Sequence, residues 1–185
     1  MDWPRQGSSP DQHKYVWALR VMAGLAYLSL SSGDRVQTAA LRHDKFQVWG
    51  PHRGRGYTMG MLQNLEKFYT RGETDLDVLL KQYMVRSGKR PGLCIVFSDM
   101  MSPNYRDGLT ALQSRGFEIV LIQVLSPDEV NPPMNGDLRL IDIETGIPQD
   151  VTIDGAMLDL YQKRLLAWQE EIGEFCLRRA FTLSP

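Results

Sequence analysis

Residues 91–101 read PGLCIVFSDMM, and this stretch decides the fold. Leu93, Cys94, Ile95, Val96 and Phe97 form an unbroken apolar run between a Pro-Gly pair and a Ser-Asp pair. A short apolar run with turn residues at both ends predicts a strand buried on both faces, the kind found in parallel sheets. Asp99 falls just past its end. In open parallel α/β sheets, ligands bind outside the carboxyl ends of the strands. Asp99 is therefore a candidate functional carboxylate. Asp is equally a capping residue, which needs only an oxygen that accepts a backbone N–H. Both readings stay open on this stretch alone.

The flanking segments predict an α/β pattern. Residues 13–32 predict a helix, entered through Ser9-Pro10-Asp11 and closed by Gly33 as a left-handed cap. Tyr15, Leu19, Met22 and Ala26 make one apolar stripe on it; Trp17, Val21, Leu25 and Leu28 make a second. Two apolar faces predict a deeply buried helix. Residues 34–41 and 45–49 predict strands whose short link implies an antiparallel pair. Residues 51–56, PHRGRG, read as a solvated basic loop, with too few basic groups for a phosphate site. Apolar periodicity predicts helices over 57–70 and 76–86.

Beyond Asp99, a helix is expected over 105–114 and closed by Arg115-Gly116. A buried strand follows over 117–125, then a loop over 126–137. Residues 137–143 and 149–153 predict a hairpin at the sheet edge. A last helix spans 155–179, with Met157, Leu160, Tyr161, Leu165, Trp168, Ile172, Phe175 and Cys176 as its core stripe. The order predicts one domain, residues 1–185, built as a three-layer α/β fold. Its sheet is mostly parallel, with helices on both faces. One feature is odd: the most buried helix has no strand before it.

Composition limits the function classes. Of the 185 residues, 43% are hydrophobic and 23% charged, as in ordinary globular domains. A net charge of −1 gives no global pull toward nucleic acid or an anionic membrane. No apolar run approaches the roughly 20 residues a membrane span needs. Cys94 and Cys176 read as core thiols in a reducing, cytoplasmic setting, not as a disulfide framework. His13, His43 and His52 are scattered and form no metal-type spacing with cysteine.

Four segments in order resemble a von Willebrand factor A-like domain. They are LRVMAGLAYLSLSSGDRV, GETDLDVLL, GLCIVFSDMM, and GLTALQSRGFEIVLIQVLSPDEVNPP with LRLIDIETG. Together they cover nearly the whole chain. They are most similar to the bacterial family called domain of unknown function 58, often encoded beside MoxR-type AAA ATPases. The resemblance implies a metal-ion-dependent adhesion site that holds Mg2+ or Mn2+. Such a site is built from an Asp-x-Ser-x-Ser loop, a Thr loop and an Asp loop. Thr74 and Asp99 match the second and third loops, and the first is absent from the sequence. Met1-Asp2-Trp3 resembles the residues that follow that motif. The chain is thus expected to start just downstream of the first central strand, and to stop where relatives continue with a last strand and helix. A hard cation wants about six oxygen ligands, so a weak, partial site is expected. Thr74 also reads as the cap of helix 76–86, and Asp75 and Asp77 as first-turn acids favoured by the helix dipole.

Three functions compete on these grounds. The resemblance favours a non-enzymatic protein-interaction module, working with a protein partner such as a MoxR-type AAA ATPase. The alternative is a metal-assisted hydrolase centred on Asp99. Against it, the sequence holds no nucleophile–base pair, no G-x-S-x-G and no Gly-rich phosphate loop. The third is a degenerate fragment without metal function.

Overall fold

A computed structural model describes residues 14–42, 45–68, 76–86, 90–102, 104–133, 136–141 and 148–184. The chain divides into two compact units: Met1–Gly92 with Met100–Phe117, and Leu93–Asp99 with Glu118–Pro185.

The first unit holds α1 (Lys14–Ser31), β1 (Arg35–Arg42), β2 (Lys45–Arg53), a 3-10 turn (Arg55–Tyr57), α2 (Thr58–Leu65), α3 (Leu76–Arg86) and α4 (Tyr105–Ser114). The predicted glycine cap ends α1. Gly33 sits at φ 83°, its N–H donates to Leu30 O, and Asp34 N–H donates to Ser29 O at 2.9 Å. These two bonds satisfy carbonyls that the helix end would leave open. Ala26 and Leu30 of α1 pack with Val36 of β1 and with Met61, Leu65 and Phe68 from α2 and the turn after it. This core uses the stripe containing Leu19, Met22 and Ala26. The second stripe is less covered than its pattern implies: Trp17 is 46% exposed and Leu28 60%.

β1 and β2 form the expected antiparallel hairpin, from Arg35 opposite Arg53 to Arg42 opposite Lys45. The sequence places the end of β2 at Trp49, but the strand runs on through Gly50 and Pro51 to Arg53. Gly50 makes this continuation fit. It lies at φ 90°, and a Cβ there would meet Val36 O at 2.5 Å. Only glycine tolerates both that φ and that approach. α3 and α4 occupy the predicted spans and pack closely. A Cβ added to Gly108 of α4 would lie 2.9 Å from Asp77 Cα and 3.1 Å from Leu80.

The second unit holds β3 (Leu93–Ser98), β4 (Glu118–Gln123), α5 (Pro127–Val130), β5 (Gly136–Ile141), β6 (Pro148–Ile153), α6 (Gly155–Arg178) and β7 (Thr182–Ser184). β3 and β4 pair in parallel from Leu93 opposite Glu118 to Ser98 opposite Gln123. β7 joins the far side of β4, also in parallel, so the order is β3-β4-β7. Ala180, at φ 55°, takes the place of a capping glycine between α6 and β7, where Phe181 N–H donates to Cys176 O at 2.9 Å.

The fold departs from the sequence pattern at several elements. The pattern puts residues 34–41 in one sheet with the strands at 93–97 and 117–125; among the described residues β1 pairs with β2 and with no other strand. The burial of β1 explains this. Val36 and Thr38 are buried while Arg35 is exposed, which is the alternation of a half-buried hairpin strand, not of a parallel core strand. Pairing across a two-residue link also closes a far shorter loop than pairing with β3 would. The hairpin β5–β6 likewise forms a separate two-stranded sheet rather than a sheet edge. β3 is not buried on both faces: among the described residues it pairs on one side only, Leu93 is 60% exposed and only Val96 is buried. On α6, Ile172 and Cys176 are buried, but Met157, Leu160 and Tyr161 lie exposed. The loop expected over 126–137 contains a helical turn, α5. Ser126 Oγ accepts from Glu129 N–H, and Glu129 Oε2 accepts from Ser126 N–H at 2.7 Å. This reciprocal capping box nucleates it.

Candidate functional site

The last rung of the parallel pair sets Ser98 opposite Gln123, and Val124 N–H donates to Ser98 O at 3.0 Å. Asp99 is the next residue and is half-buried. It therefore stands at the carboxyl end of a parallel strand, as the sequence predicts, where the end of a β-ladder leaves room for a ligand. Met100 follows with φ 63° while almost fully buried. A left-handed conformation at a residue with a long side chain costs about 1–3 kcal/mol. The chain thus makes a strained turn directly after the candidate carboxylate, and Met101 beyond it is exposed.

Within the first unit, the loop after Met100 is tied to the start of α3. Leu76 N–H donates to Ser102 Oγ at 3.3 Å. The bond satisfies one of the backbone donors that the first turn of a helix leaves open. Leu76 is two residues after Thr74, and Ser102 is three after Asp99. Thr74 and Asp75 lie outside the described residues. Asp77, in the first turn of α3, forms an ion pair with Lys81 at 2.7 Å. The first-turn position is the expected one; the pair to Lys81 across one helical turn is an addition the sequence reading does not make.

Two residues of this region escape a reading by motif. Ser102 sits in a loop and carries no signal beyond its type. Gln123 carries one: an amide amid the apolar run of FEIVLIQVL. It is 7% exposed, and its Nε2 has no hydrogen-bond partner among the described residues.

Among the described residues, no three His, Cys, Asp or Glu side chains cluster as a metal-binding group. Asp99 would bring one carboxylate, which fits a hard cation held mainly by water and not one enclosed by protein. Cys94 and Cys176 are free thiols. Burial pushes the Cys94 thiol up to about 11 and raises that of Cys176 as well. Neither is primed as a nucleophile, since the thiolate is the reactive form.

The family described as "Protein of unknown function DUF58" matches residues 4–171. The chain belongs to this family. Over 89 residues this DUF58 chain is 34% identical to an uncharacterized protein of Mycobacterium avium, spanning 48% of the chain and 52% of that protein. Over 89 residues it is 32% identical to uncharacterized proteins of Mycobacterium bovis and Mycobacterium tuberculosis, spanning 28% of each. The chain thus spans about half, or less, of the length of the curated relatives it matches. No solved structure matches it. Among the described residues, no helix is long and apolar enough to cross a membrane.

Proposed function

We propose that this DUF58 chain is a non-enzymatic protein-interaction module of the von Willebrand A-like type. Its contact point is a partial metal-ion-dependent adhesion site carried by Asp99 and Thr74. The observation behind this reading is the place of Asp99, next after the last rung of a parallel strand pair and before a strained turn. The bond from Leu76 to Ser102 lies within the first unit and ties the loop after Met100 to the start of α3. In this reading Asp99 supplies the protein's charge to a Mg2+ or Mn2+ ion and Thr74 supplies a hydroxyl. The cation, when bound, supplies a bridge to a carboxylate on a partner protein, for which a MoxR-type AAA ATPase is the candidate. The free cysteines fit a reducing, cytoplasmic setting.

Titration calorimetry tests the site with three chains: this one, a version fused to an upstream strand ending in Asp-x-Ser-x-Ser, and that fusion carrying Asp99→Ala. This chain should bind Mn2+ weakly, the fusion more tightly, and the Asp99→Ala form not at all. A second carboxylate offsets more of the ion's dehydration, and loss of Asp99 removes a charge the shell depends on. Equal affinity in all three would end the proposal.

A further inference from the structure

The open end of the β1–β2 hairpin carries charge and aromatic surface that folding does not use up. Arg35 and Arg53 are both exposed and stand directly opposite each other across the strands. Like charges directly opposite in a sheet are destabilising. Arg55 follows two residues on and is also exposed. Among the described residues, no ion pair joins any of the three to a carboxylate. Two of them are tied to α1. Arg53 Nε–H donates to Gly33 O at the carboxyl end of the helix, and Arg55 Nη2 donates to Tyr27 Oη at 3.3 Å. The first tie explains Arg53 as a helix cap. Each tie occupies one nitrogen and leaves the other donors of the guanidinium fork open. Beside these charges, three rings lie in a row. The His52 ring lies 4.6 Å from that of Trp49, which packs on the core, and Tyr57 stacks on His52 at 4.4 Å with the planes 9° apart. The row ends at the surface: Tyr57 is 47% exposed, and Tyr27 is 41% exposed.

We propose that this face, formed by Tyr27, Arg35, Arg53, Arg55 and Tyr57, is a docking surface for an acidic segment of a partner protein, whose carboxylates take the guanidinium groups while an apolar side chain packs on Tyr57. Charge and ring together choose the partner. Arginine presents a planar fork that matches a carboxylate. Three such forks without an acidic partner form a local excess of positive charge in a chain whose net charge is −1. Tyr and Arg are enriched where protein interfaces concentrate their binding energy. The stack on His52 holds Tyr57 in place before a partner arrives, so little side-chain freedom is lost on binding. A nucleic-acid strand fits less well, since backbone recognition commonly uses about 6–10 phosphate contacts, more than three arginines provide. The surface lies wholly in the first unit and uses neither Asp99 nor a cation, so it is independent of the proposed metal site.

The test uses the full chain with EDTA present, which keeps the result separate from the metal site. The probe is a fluorescein-labelled peptide in which Glu and Asp alternate with Leu and Phe. The controls are the same peptide with Gln and Asn in place of the acids, and a single-stranded oligothymidylate. Fluorescence anisotropy should show the acidic peptide binding, more weakly as salt rises, and the amide peptide not binding. Arg35→Gln combined with Arg55→Gln, which leaves the Arg53 tie in place, should weaken binding about tenfold or more. Tyr57→Ala should weaken it about fivefold or more. Lys163→Gln, which removes an exposed cation of the second unit, should bind like the parent. A parent that does not bind the acidic peptide overturns the proposal. So does binding unchanged by the arginine pair or by Tyr57→Ala, or an equal loss with Lys163→Gln. Tighter binding of the oligothymidylate than of the peptide overturns it in favour of a nucleic acid. A measurement on the parent covers the case of a variant that does not fold. Bound peptide should slow the modification of Arg55 by phenylglyoxal, read by mass spectrometry, and an unchanged rate overturns the docking surface.

Discussion

Cys94 and Tyr15 set how the folded chain responds to alkali. Burial raises the Cys94 thiol from its ordinary value near 9 to about 11, and the Tyr15 hydroxyl from 10 to about 12. Both groups hold their protons more tightly folded than unfolded. Between the two values the native state binds more protons, so stability falls as pH rises. The contribution is fully present below pH 9 and is lost progressively through the folded values, from about 9 to 11 for Cys94 and 10 to 12 for Tyr15. The urea midpoint should therefore drop across that window, and Cys94→Ala should flatten its lower part. A thiol-reactive dye at neutral pH should label Cys94 far more slowly in the native chain than in urea. A midpoint that holds steady from pH 9 to 11 would contradict the buried thiol.

The α3–α4 pair is a place where two helices pack closely. Gly108 leaves no room for a methyl group, because the nearest neighbour is backbone, Asp77 Cα, rather than a side-chain end that could swing away. Alanine normally favours a helix over glycine by about 1 kcal/mol. Here the clash should reverse that sign. Gly108→Ala is expected to destabilise the chain by about 1–3 kcal/mol, measured as a lower urea midpoint with unchanged slope. Gly24 of α1 provides the control. A methyl group added there would have nothing within 4 Å, so Gly24→Ala should stabilise by up to about 1 kcal/mol. Destabilisation by both, or by neither, would contradict the helix contact.

At the scale of the molecule, two apolar features face solvent. β3 pairs on one side only among the described residues, with Leu93 60% exposed at its start. Met157, Leu160 and Tyr161 form an exposed stripe along α6, and Leu166 is 59% exposed further on. An open, apolar strand edge recruits other strands, and exposed apolar patches drive association. The chain should therefore associate as concentration rises, read by light scattering, and Leu160→Lys with Leu166→Lys should shift it toward the monomer without lowering its unfolding temperature. A strictly monomeric chain with a cooperative transition well above about 65 °C, the upper end for mesophile domains, would count against both features.

Local chemistry made much of this protein legible from sequence. The apolar run at 93–97, the helices at 76–86 and 105–114 and the glycine caps at 33 and 116 stand where the sequence puts them, because caps and periodicity act over a few residues. Asp99 was legible for the same reason, as a carboxylate at the end of a strand. What the sequence left undetermined depends on contacts between distant segments. An apolar stripe says that a face can be buried, not that a partner covers it; hence the exposed residues of α6 and of the outer face of α1. A strand pattern does not name the neighbour, so only the fold decided that, among the described residues, β1 pairs with β2 alone and β7 adds to β4. Gln123 joins the two levels. Its polarity is visible in the sequence, but the parallel register alone sets it opposite Ser98, and the fold alone buries it with its amide Nε2 unmet among the described residues.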